Sequence, residues 1–213
     1  MNPAAAIIVA YFLGAVPSSA IAGRIAGVDL RSEGSGNLGF TNVLRVLGPR
    51  AAVPVLIADA GKGVAAVVLA RHAVGADWPL GAETTALLGG LAAIAGHVWS
   101  VFVRFRGGKG VATAAAVFGA LAPPAAGISI AAWLIVVLST RYVSLASITG
   151  AVLLPLAVAA THAAAGVPQP VPLLAASTGI AVLVVATHRA NIRRLLNGTE
   201  NRFGSKRRTQ GGD

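Results

Sequence analysis

The chain has 213 residues, of which 55% are hydrophobic and only 11% charged, with a mean hydropathy of +0.75. A soluble domain of this length carries about 25% charged residues, so the composition excludes one and points to an integral membrane protein. The 17 Lys and Arg outnumber the 7 Asp and Glu, for a net charge of +10, and cysteine is absent; the first marks membrane edges and anionic lipid contact, and the second excludes disulfides and thiolate chemistry.

Apolar runs of membrane-spanning length follow one another along the chain, each near the ~20 residues a spanning helix needs. The first covers residues 4–22. It has no Lys or Arg before Arg24, so it lacks the basic start of a cleaved signal peptide and is expected to stay as a span. Pro17 and Gly14 can kink it, with Ser18 and Ser19 available to satisfy the loosened backbone. Runs at 51–70 and 84–103 come next. A longer region, from 111 to 138, is broken by Pro123-Pro124 and is expected to form two helices, 111–121 and 124–140, joined by a tight turn. The first of these is short for a span. Runs at 145–163 and 173–186 complete a predicted all-α protein with seven transmembrane helices. It forms a single domain over 1–213, with a basic, flexible tail from about 202.

Charge orients this arrangement. Seven spans place residues 24–50, 104–110, 141–144 and 188–213 on one side, and those segments hold fifteen of the seventeen Lys and Arg. The excess marks the cytoplasmic face, with the N-terminus outside and the C-terminus inside. Six spans would put Arg141 and the Arg-rich tail outside. No basic patch is interleaved with aromatics, so nucleic acid is not an expected partner.

Four polar stretches interrupt the apolar sequence, all on the predicted cytoplasmic side. In the first, Gly34, Gly36 and Gly39 let backbone N–H groups converge as an anion-binding nest. Ser35, Asn37, Thr41 and Asn42 can add side-chain hydrogen bonds, and Arg45 a forked cation. A helix starting near Phe40 or Thr41 would add a favourable dipole for phosphate. The bland alternative is a Gly-rich connector without a ligand. In the second, Asp59 and Lys62 stand three apart inside a span and can pair, either to lock helix packing or to support the site. The third holds His97, Arg104, Arg106, Gly107, Gly108, Lys109, Gly110 and Thr113. It has the flexible donors and the Lys of a phosphate loop without Walker spacing. Arg104 and Arg106 also suit a snorkelling helix edge, and His97 suits helix packing, since no second histidine stands at metal spacing. The fourth pairs Ser144, which can cap a helix, with His188 and Asn191, which can face one ligand.

Two matches are coincidental on this reading. Gly34-x-Gly36-x-x-Gly39 with Asp59 imitates a dinucleotide fingerprint, but that motif needs a preceding strand. His72-x₄-Asp77 imitates the signature of common glycerolipid acyltransferases, but it falls on the opposite face.

Taken together, Gly34-Ser-Gly-Asn-x-Gly-x-Thr-Asn-x-x-Arg45, Asp59-x-x-Lys-Gly63, Gly107-Gly-Lys-Gly-Val-Ala-Thr113 and His188-x-x-Asn-Ile-x-Arg194 resemble the bacterial acyl-phosphate:glycerol-3-phosphate acyltransferases, the PlsY family. The resemblance covers nearly the whole chain. It implies seven membrane helices with a cytoplasmic active site in the bacterial inner membrane. It implies acyl transfer from acyl phosphate to the 1-hydroxyl of glycerol 3-phosphate, the first acylation of phospholipid synthesis, without acyl-CoA, cofactor or metal. By motif match the polar pocket would be Ser35, Arg45, Lys109, Ser144, His188 and Asn191, with the glycine-rich segments lining the phosphate sites. The catalytic candidates are Ser35, Lys109, His188 and Asn191. Membrane lipids and coupling to the enzyme that makes acyl phosphate are the expected partners. A transporter of a phosphorylated solute is the alternative, and it should show an inverted repeat and a midplane site. Head-group transfer would need a paired-aspartate metal motif that the chain lacks.

Overall fold

In a computed structural model, which describes residues 2–75 and 78–204, the chain is all helical. Among these residues there are ten α-helices and one 3₁₀ turn: α1 Pro3–Ala15, α2 Ser18–Ile25, α3 Phe40–Leu47, α4 Pro49–His72, α5 Ala82–Val98, α6 Val111–Leu121, α7 Pro123–Thr140, α8 Val143–Ala164, α9 Val171–Thr187 and α10 Arg189–Leu196, with the 3₁₀ turn at Val101–Val103. No strand occurs among the described residues, so the Gly34–Gly39 loop lacks the sheet that a dinucleotide site requires.

Five helical stretches are long and apolar enough to cross a membrane: Pro3–Ile25, Pro49–His72, Ala82–Val103, Pro123–Thr140 and Val143–Ala164. A sixth counts if α9 and α10, bent by 59° at their junction, are taken as one. The remaining expected span, α6, has 11 residues, about 16 Å of helix against a hydrocarbon core of about 30 Å. It is a short apolar helix within the bundle.

Proline sets several boundaries. It opens α4 and α7 at the first helical position, where its missing N–H costs nothing. Pro17 breaks the first span between α1 and α2. The serines do not repair that break as expected. The freed Val16 carbonyl accepts from Lys62 Nζ at 3.1 Å and from the Ser18 backbone N–H at 3.1 Å. Ser18 Oγ turns instead to Asp59, and Ser19 Oγ is buried without a partner.

In lipid the bundle gains little from moving apolar groups away from tails that are equally apolar, so close packing must hold it. Glycine provides the close approach of α1 and α5. A Cβ on Gly14 would run into the Ala93 backbone, and one on Gly96 would run into Tyr11 O. A buried core of Val67, Ile94, Val117, Phe118, Ile180 and Val184 then ties α4, α5, α6 and α9 together.

His72 closes α4 and is exposed; Asp77 lies outside the described residues. Roughly 35 Å of helix separates His72 from the Pro49 end of α4. We expect His72→Ala to leave turnover within about twofold of the parent, as an exposed side chain remote from the polar loops should. A larger loss in a folded variant would return the His-x₄-Asp pair to consideration.

Candidate active site

The first loop, residues 26–39, is organised by Asn42. This side chain is 1% exposed. Its Nδ2 donates to Leu30 O at 3.0 Å and Glu33 O at 3.1 Å, and its Oδ1 accepts the Ser35 N–H at 2.8 Å. The amide is spent on folding the loop over the start of α3. Gly34 and Gly36 lie at φ 63° and 70°, a region that only glycine enters freely, and they shape the turn. Arg31 Nη2 reaches across to Val103 O at 2.8 Å and Arg106 O at 3.2 Å, so the first loop is stitched to the second.

The second loop folds back on the end of α5. Gly107 N–H donates to Val98 O at 3.0 Å and Gly108 N–H to His97 O at 3.1 Å. A Cβ at either glycine would collide with His97. The reversal delivers Lys109 to the entrance of α6, where its Nζ donates to Asn191 Oδ1. Burial pushes the Lys109 ammonium down to about 8, with Glu200 opposing and Arg194 and Arg45 adding to the push.

The third contribution comes from the bend between α9 and α10. His188 is 3% exposed, and its Nδ1 lies 2.8 Å from Val184 O. A carbonyl can only accept, so Nδ1 carries the proton and Nε2 is left as an acceptor in the neutral ring. Asn191 follows one turn on. Ser144 does not cap α8: Tyr142 holds the N-cap position, and Ser144 Oγ donates to Glu200 Oε1 at 2.9 Å.

Glu200 is the residue that reading the sequence missed. Its carboxylate accepts from Ser144, from Asn191 Nδ2 at 2.6 Å and from Arg194 Nε at 2.6 Å. Burial raises the carboxyl, yet the bonds from Asn191, Arg194 and Ser144 and the Arg194 charge outweigh it, and the group ends below its ordinary value. The first residues of the expected tail make contacts just beyond: Phe203 N–H donates to Arg141 O at 2.7 Å, and Arg202 lies over the Tyr142 ring. Residues 205–213 lie outside the described residues.

These elements surround one cavity of about 870 Å³. Ser35, Asn37, Gly39, Thr41, Asn42, Arg45, Lys109, Gly110, Ser144, His188 and Asn191 all line it, together with Arg194 and Glu200. Its other end is apolar, with Leu56, Phe118, Ile130, Trp133 and Leu154 on its walls. Four sequence candidates stand apart from it. Gly34 and Gly36 only shape the loop, whereas Gly107 and Gly108 line an adjoining pocket of about 10 Å³ beside Asp59, Lys62 and His97; Asp59 and His97 line the large cavity as well. Among the described residues, no three His, Cys, Asp or Glu side chains come close enough to hold a metal ion.

An apolar helical bundle that gathers cations and hydrogen-bonding groups with apolar side chains around one large cavity defines an integral membrane protein with a mixed polar and apolar site. The chain belongs to the glycerol-3-phosphate acyltransferase family, whose model matches residues 4–198. It is 45% identical over 200 residues to a glycerol-3-phosphate acyltransferase of Rubrobacter xylanophilus, covering 94% of both chains. It is 44% identical over 196 residues to one of Geobacter sulfurreducens, covering 92% of this chain and 94% of that one. The crystal structure of PlsY (YgiH), an integral membrane glycerol 3-phosphate acyltransferase, in its glycerol 3-phosphate form superposes with a TM-score of 0.83 at 40% identity, over 95% of this chain and 96% of that one. Its lysophosphatidic acid form gives a TM-score of 0.80 at 40% identity, over 95% of each chain.

The ammonium of Lys109 is the form that can hold an anion. The pH dependence of kcat/KM reports groups of the free enzyme. We therefore expect kcat/KM to be level below about 8 and to fall by about tenfold per pH unit well above it. Lys109→Arg should remove this limb from the profile, since guanidinium stays charged. Initial rates from pH 6 to 10 check both.

Proposed function

We propose that the chain transfers a fatty acyl group from acyl phosphate to the 1-hydroxyl of glycerol 3-phosphate, giving 1-acyl-glycerol 3-phosphate and phosphate. The observation that carries this reading is the two-part cavity, cationic at one end and apolar along its length. Both substrates bring a phosphate, and one brings an acyl chain that needs an apolar channel between helices. Family membership and the glycerol 3-phosphate and lysophosphatidic acid forms of PlsY support the acceptor and the product.

The chemistry needs little from the protein beyond charge and alignment. Acyl phosphate is a mixed anhydride with a good leaving group. The hydroxyl oxygen of glycerol 3-phosphate attacks the acyl carbonyl, the new ester C–O bond forms, and the bond from the acyl carbon to the phosphate oxygen breaks. Lys109 and Arg45 neutralise the two phosphates, and the Ser35 hydroxyl orients them. The hydroxyl proton goes either to His188 Nε2 or to a substrate phosphate oxygen. No acyl-enzyme is required, so transfer is direct.

Product analysis tests the assignment. Purified protein mixed with acyl phosphate and glycerol 3-phosphate should yield 1-acyl-glycerol 3-phosphate and phosphate in equal amounts. Product from acyl-CoA alone would overturn the choice of donor. Binding of glycerol 3-phosphate without acyl transfer would favour a carrier instead.

The topology that goes with this function has seven crossings, with the short α6 crossing where the bilayer thins locally around it, the N-terminus outside and the site facing the cytoplasm of the inner membrane. Single cysteines at Ser32 and Asn197, both exposed, should react with an impermeant reagent only from the cytoplasmic side, and one at Val167 only from the outside. Reaction of Ser32→Cys and Asn197→Cys from opposite sides would break the topology.

A further inference from the structure

Behind the second loop lies a charged cluster to which the acyl-transfer reading assigns no role, although Asp59 and His97 also line the large cavity. Asp59 is 2% exposed within the α4 span. Its Oδ1 accepts from Lys62 Nζ at 2.8 Å and from Ser18 Oγ at 3.0 Å, with His97 Nδ1 at 3.5 Å. Its backbone carbonyl accepts from Thr113 Oγ1 at 3.0 Å, which ties α4 to the first turn of α6. Lys62 bridges on to the Val16 carbonyl at the α1–α2 break, at 3.1 Å.

The cluster touches the loop through His97. One ring nitrogen faces Asp59, and the other faces Gly108, where a Cβ would strike Nε2. The same histidine's carbonyl accepts the Gly108 N–H at 3.1 Å. Lys109 is the next residue. The backbone that carries Lys109 therefore rests on His97 by both its main chain and its ring, and the ring leans on Asp59. The pocket between them, about 10 Å³, admits scarcely one water and no substrate.

A buried ion pair is a poor source of stability, because apolar side chains of the same volume do as well or better. Inside a membrane span it is costlier still. What it supplies here is direction. A carboxylate with three neighbouring donors fixes the imidazole face on which the glycine loop sits, and Lys62 neutralises it.

We propose that Asp59 and His97 are a positioning pair for Lys109, holding the 107–110 loop so that the ammonium enters the phosphate end of the cavity. The proposal rests on reading Lys109 as a phosphate-binding group. It also accounts for two glycines that do not line the large cavity: Gly107 and Gly108 are small so that the loop can seat on His97.

A double-mutant cycle tests it. Asp59→Asn alone would leave Lys62 unpaired, so Asp59→Asn/Lys62→Met removes both charges together. His97→Ala serves as the second variant and leaves the ion pair in place. Each is measured alone and combined with Lys109→Ala, reading KM and kcat for both phosphorylated substrates together with melting curves. We expect each variant to raise the KM of the substrate that Lys109→Ala also weakens by about tenfold, with kcat within about threefold. On the Lys109→Ala background the same changes should add less than about twofold. Folded variants with parental KM, or effects that multiply with Lys109→Ala, would overturn the positioning role. Failure of both variants to fold would also overturn it and make the cluster architectural. Near-normal activity of Lys109→Ala itself would instead remove the phosphate reading on which the pair depends.

Discussion

Lys109→Ala should lower kcat/KM by about 10²-fold or more, which corresponds to roughly 3 kcal/mol of lost transition-state stabilisation. The reason is where the charge stands. The ammonium lies at the junction of a glycine loop and α6, in surroundings dry enough to push it down to about 8. In such a place a charge-assisted hydrogen bond to phosphate replaces water that cannot follow the substrate in. Lys109→Arg should recover only part of the loss. Guanidinium restores charge, but its planar fork is wider than the single point that meets Asn191 Oδ1. Steady-state phosphate release in lipid, with melting curves to confirm folding, measures both. A folded Lys109→Ala enzyme with near-normal turnover would reduce Lys109 to an ordinary anchor at the membrane edge.

The site was legible in the sequence to the degree that it broke local rules. Glycines, Lys109 and Arg45 stand out in a chain with 11% charged residues, and lipid leaves few reasons for them other than an anion. Pro123-Pro124 marked the α6–α7 turn because proline lacks the donor that a continuous helix requires. The start of α3 at Phe40 followed from the loop ahead of it. Asn42 was harder. An asparagine in a glycine-rich loop is suited equally to hold a ligand and to hold the loop. Only the packing of α3 under that loop turns both ends of its amide inward. Pro17 announced a break, but not that a lysine from another helix would satisfy the open carbonyl. Contacts of that kind depend on which helices become neighbours, and a pattern along one chain does not carry that information.

Glu200 shows the same limit with a signal left unread. Between Glu83 and Asp213 it is the single acidic residue in the sequence, and it falls among arginines. Ordinary surface chemistry would explain it as a rim charge. Its partners, Ser144 and Asn191, come from the start of α8 and from α10, which only the fold brings to one point.

From that geometry comes the second large effect. Glu200→Ala should cost about 2–4 kcal/mol of stability, because it strands several donors at once and leaves a buried cluster without its counter-charge. Its side chain is 6% exposed, and Arg194 Nε donates to it at 2.6 Å. Lys109 and Arg45 feel its charge as well. Removing it leaves three cations facing one another across the mouth of an apolar cavity. Glu200→Gln should be intermediate. It keeps the shape and one acceptor for Ser144 and Asn191, but it turns an N–H toward Arg194 Nε, donor against donor. The carboxyl sits below its ordinary value of 4.5 in the folded protein, so its contribution is complete above that pH. The contribution is lost as pH falls below 4.5 through the folded-state value. The parent should thus lose more stability on acidification than Glu200→Gln, and the gap between their melting temperatures should close toward low pH. Melting curves of the three forms between pH 3.5 and 7.5 decide the matter. A Glu200→Ala protein that melts with the parent at neutral pH would show that the carboxylate only decorates the rim and that the cations are held apart by the backbone alone.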